Sequence, residues 1–222
     1  MAEERVTEEG YVFDIGADVY CADGRCGKLA KVVVDPGTHQ VTDLIVTKGF
    51  LQKEDRVLPV SVVANSTPER IDLSIRSDEL KNYPKYKEEE FRVPAPDWPH
   101  DHYKREQVFY WMLPYGLIEV EQPVVVPMIR QKVHHGIPSN REVIGRGTPV
   151  RNALDRLGVV DHLLVERDSG RITHLVVRKA PWLPVGYRII PMDKVVEVDD
   201  EGIYVKLSGE ELESLPSYTP RR

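Results

Sequence analysis

Short runs in which apolar and polar residues alternate dominate the chain, and glycines and prolines bound them. Ile71-Asp-Leu-Ser-Ile75 and Ile203-Tyr-Val-Lys-Leu207 alternate with period two, which predicts strands with one buried face. The stretches 28–35 and 40–48 are rich in Val, Leu, Ile and Thr, with Pro36-Gly37 between them, and predict a hairpin. The stretches 159–166 and 171–179, separated by Asp168-Ser169-Gly170, predict a second hairpin. Residues 56–60 and 188–191 add further short strands. Asp23-Gly24 is a two-residue turn signal following Val19–Cys21. Ser77-Asp-Glu-Leu80 and Ser208-Gly-Glu-Glu-Leu212 predict short helical turns, each capped by its serine.

These elements occur twice. At a shift of 131, Gly16 meets Gly147, Val19 meets Val150, Gly27 meets Gly158, Thr42 meets Thr173, Leu44 meets Leu175 and Lys48 meets Lys179. One inserted residue near Trp182 moves the shift to 132, where Pro59 meets Pro191, Ile71 meets Ile203, Leu80 meets Leu212 and Tyr86 meets Tyr218. Two copies of one fold therefore run over 16–86 and 147–218, and each carries five or six short strands. A chain of that kind closes into a small barrel, since closure removes exposed edges. The expected class is all-β: two tandem small barrels with short helical turns. A tail is expected over 1–15, an ordered connector over 87–146, and a short tail over 219–222.

The repeated positions resemble the PRC-barrel family. The resemblance rests on the paired glycines, the Gly27–Asp35 strand, the Val41–Val46 strand, and Pro59 followed by Val62-Val63. In the second copy it rests on Gly158-Val-Val-Asp-His-Leu-Leu-Val165, on Ile172-Thr-His-Leu-Val-Val177, and on Ile190-Pro191 with Val195-Val196. The lead-in Ile137–Val150 is similar to that of tandem bacterial members. The resemblance implies a small β-barrel that works as a docking module, with no shared catalytic residues to carry over. Relatives include the cytoplasmic part of the photosynthetic reaction-centre H subunit and the C-terminal domain of a ribosome maturation factor. This chain lacks the membrane helix of the first and the N-terminal domain of the second, so neither specific function transfers.

The connector differs in composition. It holds seven of the 17 prolines, and Pro94-Ala-Pro-Asp-Trp-Pro99 is expected to be extended and stiff. Gln107-Val-Phe-Tyr-Trp-Met-Leu-Pro-Tyr115 is dense in aromatics. Two roles compete for it: packing between the barrels to fix their orientation, and binding a partner. For the second, Phe109, Tyr110, Trp111, Met112 and Tyr115 are the candidate anchors, with Trp182 beside the repeat's insertion as another.

Charge narrows the partners. The chain of 222 residues carries a net charge of -6, and residues 1–91 hold 18 acidic against 12 basic groups. That argues against a broad nucleic-acid surface. Residues 122–141 nevertheless contain no acidic residue, and Arg130, Lys132 and Arg141 there are candidate RNA contacts. No apolar run is long enough to cross a bilayer, and the acidic start lacks the apolar core of a secretory signal, so the expected location is the cytoplasm.

Other chemistry is sparse. With Asp23-Gly24 as the turn, Ala22 and Arg25 would close the hairpin and Cys21 would face Cys26, with Cα atoms about 4.5 Å apart. That spacing suits a disulfide, but in a reducing cytoplasm the pair is expected as thiols, with a redox-sensitive pair as the alternative. His100-Asp-His102 with Asp97, and His134-His135, lack a metal-ligand spacing, so no metal or cofactor is expected. Asp199-Asp200-Glu201 reads as a turn, and no acid, base and orienting group assemble. The expected function is a non-catalytic docking or assembly protein, a soluble subunit or cytoplasmic cap of a larger complex. It could also homodimerise through a strand edge. An RNA- or ribosome-associated factor is the first alternative, and a redox- or metal-responsive protein the second.

Overall fold

The computed structural model describes residues 10–49, 53–94, 128–179 and 186–219. In chain order the strands are β1 (Gly10–Asp14), β2 (Asp18–Cys21), β3 (Gly24–Asp35), β4 (Gln40–Lys48), β5 (Glu54–Pro59), β6 (Val63–Ser66), β7 (Arg70–Leu73), β8 (Lys87–Pro94) and β9 (Met128–His135). They continue as β10 (Glu142–Gly145), β11 (Pro149–Arg151), β12 (Arg156–Glu166), β13 (Ile172–Lys179), β14 (Tyr187–Pro191), β15 (Val195–Asp199), β16 (Gly202–Val205) and β17 (Ser217–Tyr218). One α-helix, α1 (Gly209–Ser214), lies before β17. The described residues are mostly β, as an all-β class requires.

Most strands join one of two sheets. The first has the order β5-β4-β3-β2-β7-β6, with β10 added on β3. The second has the order β15-β16-β11-β12-β13-β14-β17, with β1 added on β12. Pairings recur at equivalent positions. Val19 pairs with Gly27 and, in parallel, with Ile71; Val150 pairs with Gly158 and, in parallel, with Ile203. The glycines are required there. A Cβ on Gly27 would meet the Thr47 carbonyl oxygen, and one on Gly158 the Arg178 carbonyl oxygen, so only glycine lets the neighbouring strand approach.

The two added strands correct the sequence expectation. Residues 10–14, expected as tail, form β1, and residues 142–145, expected as connector, form β10. Each is the lead-in of one half laid on the sheet of the other. β1 pairs antiparallel with β12, from Gly10 opposite Glu166 to Asp14 opposite His162. β10 pairs antiparallel with β3, from Glu142 opposite Val34 to Gly145 opposite Lys31. The reason is burial: Phe13 on β1 and Ile144 on β10 are apolar side chains that find cover on the sheet of the other half. Phe13 and Ile144 are both fully buried. The main hydrophobic cluster accordingly runs through both halves, with Phe13, Leu29, Leu44 and Ile144 alongside Val150, Leu163, Leu175 and Ile190, and two smaller clusters lie around Leu164 and Val176 and around Val33 and Ile45.

The helical turns differ between halves. Ser208 caps α1 as expected: its hydroxyl accepts from the Glu211 amide, and Glu211 accepts from the Ser208 amide. Ser77 does not cap the 3-10 turn Glu79–Asn82. Its amide and hydroxyl instead donate to Asp23, at 2.8 and 2.7 Å, tying the β2–β3 turn to the start of the helical turn.

Residues 88–133 form a separate compact unit, whose described part is the β8–β9 pair. No helix among the described residues is long and apolar enough to cross a membrane.

Candidate functional site

The two halves meet at their hairpin ends. Gln40 and Arg171, 131 residues apart, pair antiparallel with each other. The Val41 amide donates to the Gly170 carbonyl at 2.8 Å, and the Ile172 amide donates to the His39 carbonyl at 2.9 Å. The two bonds are symmetric equivalents, since 41 and 172 are one repeat apart, as are 39 and 170. His39 adopts a positive φ of 56° to present its carbonyl, the position that Gly170 fills in the other hairpin with φ 67°. Further bonds tie β1 to the first half: the Ser66 hydroxyl donates to the Val12 carbonyl at 2.5 Å, and the Tyr11 hydroxyl donates to the Val63 carbonyl at 3.3 Å. The Arg167 guanidinium lies over the Tyr11 ring, 5.0 Å from its centre.

A buried polar cluster lies where the chain crosses from β1 on the second sheet to β2 in the first. β12 carries a bulge: Val160 faces Val177 and His162 faces Val176, so Asp161 has no partner across the ladder. Adjacent strand residues ordinarily point to opposite faces. The bulge removes that alternation, and Asp161 and His162 come to the same place. Asp161 Oδ2 lies 2.9 Å from His162 Nδ1, yet Nδ1 has no hydrogen-bond partner, so the carboxylate stands off the line of the ring N–H. His162 Nε2 lies 3.6 Å from Asp14 Oδ2. Asp161 and His162 are 4% and 3% exposed. The neighbouring His162 ring holds the Asp161 carboxyl below the usual carboxylate range, against the effect of burial. Burial pushes the Asp14 carboxyl up, and His162 opposes it. Beside them opens a cavity of about 310 Å³, lined by Asp18, Lys28 and Glu69 from the first half and by Arg146 and Tyr187 from the second. Among the described residues, Asp14, Asp161 and His162 bring one potential metal-ligand atom each to within 4.8 Å of one another.

Sequence reasoning did not single out this cluster. Asp161-His162 stood in the strand quoted for the family resemblance. The available signal was a charged and a titratable residue side by side in a run that is otherwise Val and Leu. Asp14 gave none, since its partner lies 148 positions away in the chain.

The residues singled out from the sequence are placed as follows. Cys21 and Cys26 form a disulfide with Cα atoms 5.7 Å apart, where reduced thiols were expected. The hairpin register also differs from expectation. Cys21 pairs with Gly24 and Tyr20 with Arg25, and a bulge leaves Cys26 without a ladder partner. The turn is thus Ala22-Asp23, and the positive φ of 136° falls at Gly24, the first residue of β3.

Arg141 ion-pairs with Asp35 at the end of β3. Arg130 and Lys132 lie on β9. His134 is bracketed: Nδ1 is 2.7 Å from the Tyr86 hydroxyl and Nε2 is 3.0 Å from Asp200. Asp199 closes the expected turn by accepting from the amides of Glu201 and Gly202. Phe109, Tyr110, Trp111, Met112, Tyr115 and Trp182 lie outside the described residues, as do Asp97, His100 and His102.

Residues 146–212 match the PRC-barrel domain family, which places a PRC-barrel domain in the second half of the chain. No curated protein matches the chain.

Proposed function

We propose that this protein is a non-catalytic docking or assembly module built from two PRC-like barrels in tandem, acting as a cytoplasmic subunit or cap of a larger protein complex. The observation that carries the reading is the PRC-barrel match over 146–212, a domain type that points to protein interaction and assembly in general. The first half supports the extension to two barrels, because its strands take the same order as those of the matched half. A main core cluster shared by both halves makes a stiff platform, and stiffness limits the ordering cost of binding. The connector aromatics Phe109, Tyr110, Trp111, Met112 and Tyr115, with Trp182, supply the residue types that anchor protein interfaces.

Affinity capture of the tagged full chain from its host tests this reading, run with and without nuclease and detergent. The expected result is a nuclease-resistant protein partner that is lost from a Tyr110→Ala/Trp111→Ala variant. Recovery of RNA alone, or loss of every partner on nuclease treatment, overturns it in favour of RNA association through Arg130 and Lys132.

A further inference from the structure

We propose that Asp14, Asp161 and His162 form a binding site for one divalent first-row transition-metal ion, seated at the crossing between the two halves. One imidazole nitrogen and two carboxylates suit Zn²⁺, Mn²⁺, Fe²⁺ or Co²⁺, with water completing the shell. This proposal is independent of the docking reading.

Four observations converge on it. The first is geometric. The three residues bring one ligand atom each to within 4.8 Å of one another; Asp161 Oδ2 is 2.9 Å from His162 Nδ1 without a hydrogen bond, and Asp14 Oδ2 is 3.6 Å from Nε2. Two cis ligands on one ion, each at about 2.1 Å, stand at roughly that spacing. The second is energetic. A buried ring nitrogen without an in-line hydrogen bond costs stability, and the Asp161 carboxylate 2.9 Å away meets His162 Nδ1 only off-line, as an ion pair. A bound cation would meet it in line. The third comes from the internal repeat. The first half has the same bulge, with Leu29 facing Val46 and Lys31 facing Ile45. There the equivalents of Asp161, His162 and Asp14 are Ala30, Lys31 and Gly145, and Lys31 pairs with Gly145 as His162 pairs with Asp14. The fold therefore builds this corner without a carboxylate or an imidazole, and the three polar residues of the second corner are not a requirement of the architecture. The fourth is access. Asp14 is 28% exposed, and all three residues line the cavity of about 310 Å³, whose other charged lining groups are Asp18, Glu69, Lys28 and Arg146.

Arg146 sharpens the test. Its Nη2 stands 3.6 Å from Asp161 Oδ1, and its side chain is 66% exposed. It supplies positive charge to Asp161 where the ion would, so it competes with the ion and can swing away. Removing it should tighten metal binding, whereas a merely structural ion pair would give no such gain.

The experiment is titration of the chelator-stripped full chain with Co²⁺, followed by visible absorption, and with Zn²⁺, followed by calorimetry. The expected result is one ion per chain. Affinity should fall at least tenfold in Asp14→Asn, which changes a partly exposed group to its near-isosteric amide and should keep the fold. It should fall similarly in His162→Gln, rise in Arg146→Ala, and be unchanged in His134→Gln. A zinc-dependent shift of the His162 ring resonances in the unmutated chain gives the same answer without a variant. Absence of one-to-one binding, or binding that Asp14→Asn leaves unchanged while the His162 resonances stay put, overturns the proposal.

Discussion

Gln40 and Arg171 hold the same place in their two hairpins, and they pair with each other across antiparallel backbone. Equivalent residues meet in this way only about a local twofold relation, the geometry of a self-complementary dimer interface. Here both partners lie in one chain. The lead-in strands obey the same relation, with β1 on β12 and β10 on β3. Two sheets laced in this manner cannot come apart without losing a strand each.

Phe13 tests the lacing. It is fully buried, and its strand belongs by sequence to the first half but by pairing to the second. Phe13→Ala should cost about 3–5 kcal/mol through lost burial and the cavity left behind. Urea denaturation should still show one transition, with signals from both halves shifting together. Separate transitions for the two halves would count against a shared core.

Gly27 and Gly158 should behave alike. Alanine at either places a methyl group against a carbonyl of the adjacent strand. Each substitution should destabilise by about 1–3 kcal/mol, the usual cost of overpacking. Thermal melting of the two variants should agree closely. A large loss in one and none in the other would mean that the two sites are not structurally equivalent.

The Cys21–Cys26 disulfide closes a very short loop. Loop entropy of that size contributes about 2 kcal/mol at most. The second half has Asn152 and Leu157 at the equivalent positions, and Asn152 instead bonds the Leu207 carbonyl through its side chain and accepts from the amides of Leu154 and Asp155. A Cys21→Ala/Cys26→Ala variant should therefore fold, with a modest drop in Tm in non-reducing buffer and none relative to the parent in dithiothreitol. Failure to fold would mean that the bond holds far more of the first half than its hairpin.

Glu213 faces Lys179 and Arg188, and the Lys179 side chain is almost completely buried. The hydrogen bond from Lys179 holds the Glu213 carboxyl below its ordinary value of 4.5. A carboxyl depressed in the folded state stabilises above its unfolded pKa and loses that contribution as pH falls through the folded pKa. Glu213→Gln should therefore melt below the parent at pH 7, with the gap narrowing as the pH falls below the ordinary value of 4.5. Melting curves recorded from pH 7 to pH 3 check this, and a gap independent of pH would assign the effect to packing.

Much of this architecture was legible in the chain. The hairpins over 28–48 and 159–179, the repeat and the Ser208 cap follow from period-two alternation, turn residues and capping chemistry, all of which are local. The lead-in strands were not legible, because nothing local distinguishes a strand that pairs more than 100 residues away from a tail or a connector. The β2–β3 register was missed for a related reason. Asp23-Gly24 suits a symmetric turn, but the bulge at Cys26 moves the turn to Ala22-Asp23, and a bulge leaves no mark in composition. The Asp14–Asp161–His162 cluster depends on both features at once, a bulge and a distant pairing.

The interlaced body is the claim on which the rest depends, and amide hydrogen exchange of the full chain tests it most directly. The account predicts that the amides of Phe13 in β1 and Ile144 in β10, which face the partner strand, exchange as slowly as those of Leu44 and Leu175 in the central strands. Rapid exchange of both lead-ins, with the central strands still protected, would show them to be tail and connector and would contradict the account.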